Sequence, residues 1–141
     1  MNILLAVDGS PYTKKMLAYL ATHDEPFAGS HTYTAITVQS PLPPLVARAA
    51  LGKEVVEKYY AEEGDKVIAP VAKFLGRHGL QVKSLVKVGV VGETIAKAAE
   101  SGKYDLLIMG THGHGALGKL VMGSVSTQVL ANSTAPVLLV R

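Results

Sequence analysis

Apolar positions in this chain follow two periods. Five short stretches are apolar throughout or alternate residue by residue, and four longer ones repeat every three to four residues. Residues 1–7 contain the unbroken run Ile3-Leu4-Leu5-Ala6-Val7, which predicts a strand buried on both faces. Asp8-Gly9-Ser10-Pro11 ends it, with Ser10 suited to an N-cap and Pro11 to a first helical position. The helix predicted next runs to about His23, with Met16, Leu17 and Leu20 on one side, and Asp24-Glu25-Pro26 ends it. Thr32–Gln39 carries the strand formers Tyr33, Ile36 and Val38. Residues 40–53 are irregular, because Pro41, Pro43 and Pro44 exclude a regular element. Leu45, Val46 and Leu51 make this stretch apolar for a loop. A lid, a partner-binding flap and an ordinary crossover packed on the core all fit that composition.

A long helix is predicted over residues 54–78. Its apolar face starts at Val55, Val56, Tyr59 and Tyr60 and continues through Val67, Ile68, Val71 and Leu75. Gly64 is unfavourable within it, and Pro70 is a candidate kink. Glu62, Glu63 and Asp65 read as a solvated face, and Gly76 and Gly79 punctuate the end. Residues 80–88 read as a third strand. A helix over residues 93–101 buries Ile95, Ala98 and Ala99, and Gly102 closes it. A fourth strand covers residues 104–109, a helix 125–132 and, after Pro136, a fifth strand Val137–Val140. Strand and helix alternate throughout, which specifies an α/β fold with a parallel sheet and helices on both faces.

The totals narrow the class. With 141 residues, 48% hydrophobic and 18% charged, the chain suits one globular domain with a substantial core. There is no cysteine, which removes disulfide and thiol chemistry and fits a reducing, cytoplasmic location. No apolar run approaches the ~18 residues of a membrane span, and Met-Asn leads straight into a strand, so neither a membrane nor a signal peptide is expected. A net charge of +3 is too mild to argue for nucleic acid. After Asp105, however, Lys119, Arg141 and two histidines face no acid.

That acid-free segment opens on Met109-Gly110-Thr111-His112-Gly113-His114-Gly115, a glycine-rich loop between a buried strand and a helix start. Such loops make anion sites, since glycine lets the backbone approach an oxyanion and the helix offers unpaired N–H groups. A purely conformational need for positive φ would also explain the glycines. Gly113-x-Gly115-x-x-Gly118 spells a dinucleotide fingerprint, but no acid follows to hold a ribose. Gly113-x4-Gly118-Lys119 is followed by Leu120, where a P-loop needs a hydroxyl for Mg²⁺. Gly110-x2-Gly113-x9-Gly123-Ser124 remains. Ser124 can give a phosphate both its N–H and its hydroxyl. Asp8, at the end of a central strand, suits either a ribose or base contact or a capping role. His112-x-His114 lacks a nearby third ligand, so no protein-held metal is expected. There is no Gly-x-Ser-x-Gly elbow, and no positioned base or arginine finger for phosphoryl transfer, so no catalytic residue is assigned. Lys119 fits a phosphate contact or a surface role.

The last spacing resembles the nucleotide loop of the universal stress protein family, in its ATP-binding branch. Val7-Asp8-Gly9-Ser10 also looks like that family's first strand end. Gly89 and Ile95 match a further family turn, with Val91 where proline is common. The resemblance spans the chain and implies a doubly wound five-stranded parallel sheet of order 3-2-1-4-5 in a single domain, residues 1–141. It implies ATP or another adenine nucleotide, with Mg²⁺ held mainly by phosphate oxygens and water. Asp8 would face the nucleoside and Val38 would hold adenine through its backbone. Gly110, Gly113, Gly123 and Ser124 would cradle the phosphates. His112, Ala6, Val7, Met109, Val125 and Ser126 complete the implied set. The resemblance further implies a stress-response switch or regulator with slow ATP hydrolysis at most, and a homodimer through the apolar edge strand Val137–Val140. An unknown protein partner goes with that role. The competing reading is a dimeric interaction protein of the same fold that needs no nucleotide; such members typically lack the glycine spacing.

Overall fold

In the computed structural model, described for residues 1–27, 29–44, 52–115 and 121–141, the alternation resolves into β1 (Asn2–Ala6), α1 (Pro11–Thr22), α2 (Asp24–Phe27), β2 (Thr32–Gln39), α3 (Gly52–Arg77), β3 (Val82–Val88), α4 (Val91–Ser101), β4 (Leu106–Gly110), α5 (Ser124–Asn132) and β5 (Val137–Val140). The strands form one sheet in the order β3-β2-β1-β4-β5, and every pairing is parallel. β1 is central and pairs on both sides, Ala6 lying opposite Ile36 on β2 and Met109 on β4.

Alternation along β1 divides the interior in two. Ile3, Leu5 and Val7 pack with Met16, Leu17 and Leu20 of α1 and Ile68, Val71 and Leu75 of α3. Leu4 and Ala6 point the other way, into a second core with Ile95 and Ala99 of α4 and Val129 of α5. Successive residues of a strand face opposite sides, so an unbroken apolar run is what two covered faces demand. Each fully buried aliphatic side chain contributes about 1.5–3 kcal/mol.

The structure corrects several sequence expectations. Asp24-Glu25-Pro26 does not simply end α1; with Phe27 it forms the short α2, and Phe27 is buried in the first core. The Tyr33 hydroxyl, its pKa raised by burial, donates to the Phe27 carbonyl and holds this turn. α3 begins at Gly52 and runs unbroken through Gly64 and Pro70. Its first turns are not a core face, since Val55 and Tyr59 are 51% and 43% exposed; burial starts at Gly64. There the missing side chain is the point: a Cβ on Gly64 would meet Val86 Cγ1 and Cγ2 at 2.6 Å. In α4 the buried small residue beside Ile95 and Ala99 is Ala96, while Ala98 is half-buried. Residues 45–51 of the proline-rich stretch lie outside the described residues.

The exit from α5 is tied to the end of α4. Glu100 Oε1 accepts from the Thr134 N–H at 2.6 Å, the Ser133 hydroxyl at 2.9 Å, the Thr134 hydroxyl at 3.0 Å and the Ala135 N–H at 3.2 Å. These donors, the Thr134 N–H foremost, hold the Glu100 carboxyl below the usual carboxylate range. A pKa lowered on folding adds stability that is complete above the unfolded-state value and is lost as pH falls through the folded one.

Two measurements check this packing. In urea unfolding, Gly64→Ala should lower stability by about 1–3 kcal/mol despite alanine's better helix propensity, because the valine opposite is stiff and must be displaced. Adding Val86→Ala should recover the loss caused by Gly64→Ala. Stability of the parent should fall more steeply than that of Glu100→Gln as pH drops below about 5.

Candidate functional site

β1 leaves the sheet before its neighbours do. Its last ladder contact with β2 is the Val7 N–H to the Ile36 carbonyl at 2.9 Å, while β2 runs on beside β3 to Gln39 opposite Val88. β4 likewise runs on beside β5 to Gly110 opposite Val140. The central strand thus ends in a notch at the carboxyl edge, the topological switch point of an open α/β sheet. The notch widens into a crevice of about 520 Å³, within the usual range for small-molecule sites.

In a parallel strand, one residue's N–H and C=O point to the same neighbour, and residues two apart point alike. The Ile36 carbonyl faces β1, and the Gln39 carbonyl faces away, accepting from the Gly89 N–H at 2.9 Å. Val38 therefore presents its N–H and C=O toward the place β1 has vacated. Among the described residues neither group has a backbone partner there.

The β1 wall is set by Asp8. Gly9, at φ 76°, turns the chain into α1. Ser10 occupies the N-cap position, yet its fully buried hydroxyl has no hydrogen-bond partner among the described residues. Asp8 takes over the capping: its Oδ1 accepts from the Ser10 N–H and from the Thr13 hydroxyl, both at 2.9 Å. The Thr13 hydroxyl accepts in turn from the Asp8 N–H at 3.1 Å. Oδ2 faces the glycine loop, where a Cβ on Gly113 would stand 2.8 Å from it.

On the opposite wall, none of Gly110, Gly113, Gly115 and Gly123 has a positive φ, so conformational need does not account for these four. Room does at three of them. A Cβ on Gly110 would lie 2.7 Å from Tyr12 Cβ, and one on Gly123 would press on the Thr111 carbonyl and His112 Cα at 3.3 Å. Gly123 is also the N-cap of α5, and its N–H donates to the Thr111 carbonyl at 2.8 Å. The buried Ser126 hydroxyl lies 2.8 Å from the same carbonyl and 3.0 Å from that of Gly123. This closes the base of the loop and leaves the N–H groups of Ser124, Val125 and Ser126 without partners inside the helix. His112 bonds through Nδ1 with the Thr111 hydroxyl at 2.9 Å and lies against the Tyr12 ring, centroids 4.8 Å apart.

All twelve residues singled out in the sequence line this crevice: Ala6, Val7, Asp8, Val38, Met109, Gly110, His112, Gly113, Gly123, Ser124, Val125 and Ser126. Gly118 and Lys119 lie outside the described residues. Thr111, His114 and Gly115 of the loop line it as well, and sequence reasoning missed Thr13, Thr37, Gln39, Glu63, Val67, Val91 and Ile95, which complete the lining. Glu63 corrects the solvated-face reading. Glu62 and Asp65 are exposed, but Glu63 is half-buried at the crevice and paired with Lys66 at 2.7 Å. Its signal was there: Glu63 lies one turn before Val67 and two before the buried Val71, on a single helical stripe. Gln39 is held by its amide, which donates to the Tyr60 carbonyl at 2.8 Å. Among the described residues no group of three or more His, Cys, Asp or Glu comes together as a metal site, and no helix is long and apolar enough to cross a membrane.

Comparison with known proteins places these features in a family. The model of the Universal stress protein family matches residues 1–141. A universal stress protein of Thermus aquaticus is 34% identical over 142 residues, covering 99% of this chain and 98% of the relative. One from Mycolicibacterium smegmatis is 30% identical over 99% of this chain, which spans only 48% of that relative's length. Among solved structures, MJ0577 of Methanocaldococcus jannaschii superposes with a TM-score of 0.80 at 28% identity, covering 99% of this chain and 94% of the other. A family protein of Arabidopsis thaliana with AMP bound gives 0.69 at 14% identity, over 99% and 90% of the two chains. One of Archaeoglobus fulgidus in complex with dAMP gives 0.65 at 18%, over 100% and 98%. Sequence, sheet order and the full-length match agree, and the chain belongs to the universal stress protein family.

Proposed function

We propose that this chain binds an adenine nucleotide, ATP, across the crevice and serves as a nucleotide-dependent switch or regulator in a cytoplasmic stress response. The main-chain N–H and C=O of Val38, turned into the notch that β1 leaves, carry the reading. That donor and acceptor pair complements the N1 acceptor and N6 amino donor of adenine. The solved relatives with AMP and dAMP bound support the same ligand class. At the other end of the crevice, the N–H groups of Ser124, Val125 and Ser126, which have no partner inside the helix, and the partial positive charge of α5 suit phosphates. Gly110, Gly113 and Gly123 keep side chains out of that path, and His112 stands beside it. Asp8 Oδ2, its partner oxygen committed to α1, is the acceptor for a ribose hydroxyl. Ala6, Val7 and Met109 form the floor. Mg²⁺ would come with the nucleotide, held by phosphate oxygens and water. Hydrolysis would be slow at most, since in this reading Asp8 holds the ribose and does not reach the phosphates.

A homodimer through β5 belongs to the same proposal. The two sheet edges differ in kind. β3 carries Lys83 and Lys87 on an exposed strand, a common way of blocking edge-to-edge pairing. β5 is Val-Leu-Leu-Val and half-buried, and it is the last strand on its side of the sheet.

Protein purified under native conditions and then denatured should release adenine nucleotide, or the empty protein should gain thermal stability with millimolar Mg-ATP. Gly113→Val should abolish that binding while changing the unfolding free energy in urea by no more than about 1 kcal/mol, since the valine displaces a carboxylate end and no backbone. N6,N6-dimethyl-ATP, which has no N6 proton for the Val38 carbonyl, should bind roughly tenfold more weakly than ATP. Equal binding of both nucleotides would remove the role given to Val38. Sedimentation equilibrium should return a dimer mass; a monomer at micromolar concentration would remove the β5 interface.

A further inference from the structure

We infer that His114 is a positioning residue that ties the glycine loop to the β1 wall, so that nucleotide enters and leaves only when this tie releases. The inference rests on the nucleotide reading above. His114 Nε2 lies 2.7 Å from the main-chain oxygen of Asp8, across 106 residues of sequence. A carbonyl oxygen only accepts, so Nε2 carries the proton and donates. Both ends line the same crevice, and His114 is exposed at its mouth.

A second observation shows how near the loop comes. A Cβ on Gly113 would be 2.8 Å from Oδ2 of the same aspartate. The loop therefore leaves less than one side-chain atom of room beside Asp8. The loop is also fastened at its base, by the Gly123 N–H and the Ser126 hydroxyl on the Thr111 carbonyl. Releasing His114 leaves that base intact. Gly113 and Gly115 flank His114, and the Cβ direction of Gly115 is open, so the main chain on either side of the imidazole can rotate at low cost. A swing of residues 113–115 would then open the crevice on the Asp8 side while the base holds.

This arrangement has a kinetic signature that separates it from a direct contact with ligand. The tie is made between protein groups and needs no ligand atom. Where it also stands over bound ligand, removing it speeds arrival and departure alike and leaves Kd unchanged. A phosphate contact by His114 would instead raise the dissociation rate alone and weaken Kd.

The test uses the full chain with radiolabelled Mg-ATP and rapid filtration, comparing the parent with His114→Ala and His114→Gln. In His114→Ala both rate constants should rise between about twofold and about tenfold, the factor one neutral hydrogen bond is worth, with Kd unchanged. His114→Gln, which keeps a side-chain N–H, should recover part of the difference. Amide hydrogen exchange on the ligand-free proteins supplies a readout that does not need nucleotide. His114→Ala should raise exchange at residues 8–10 and 110–115 together. A rise in the dissociation rate alone, or unchanged rates, overturns the gating role. Unaltered protection at residues 8–10 overturns the tie itself. A parent that binds no ATP overturns the function proposed above and the gating with it, while the exchange result still decides whether the loop is held to Asp8.

Discussion

The early departure of β1 from the sheet is the constraint on which the rest of the site depends. β2 and β4 continue past the last β1 pairing because each has a second neighbour to bond with, β3 or β5. Remove either outer strand and the overhang would carry unpaired ladder groups on both edges. The outer strands thus hold open a gap that the inner strand vacates. The chain leaves β1 sharply because Gly9 takes a positive φ and Asp8 caps the helix that follows. One residue therefore ends the strand, starts the helix and faces the crevice.

Close approach, more than backbone freedom, explains the glycines that matter. Gly64 lets α3 lie against Val86, Gly110 lets α1 lie against the end of β4, and Gly123 lets the start of α5 fold onto Thr111. Each brings a helix or a helix start within reach of the carboxyl edge of the sheet. A glycine-rich loop here is a packing device first, and its openness to a ligand follows from how tightly its ends are drawn together.

The layers and the sheet were legible because burial on two faces leaves unbroken apolar runs, and burial on one face leaves a 3.6-residue stripe. Ile3 through Val7 and the stripe from Ile68 to Leu75 could hardly be read otherwise. The spacing from Gly110 to Ser124 likewise marked which residues would meet at the crevice. What the sequence hid has physical causes. Val55 and Tyr59 carry the period of a core face, but α3 overshoots the sheet there and leaves them in solvent. Glu63 carries the charge of a surface residue on the stripe of a buried one. Ser10 has the chemistry and the position of a cap, yet its hydroxyl takes no partner among the described residues, and Asp8 accepts from the Ser10 N–H instead. Strand order brings the glycine loop and Asp8 to one crevice, but the single bond from His114 to the Asp8 carbonyl is a loop geometry that no local pattern encodes.

The orientation of Val38 has a consequence for how such a protein changes over generations. What residue 38 turns toward the notch is peptide, and every amino acid carries the same peptide. Drift at that codon can alter bulk or polarity at the rim of the crevice without touching the donor and acceptor themselves. Proline alone deletes the N–H. Main-chain groups displayed in this way are inherited through strand geometry, and they stay on display for as long as β1 stops short.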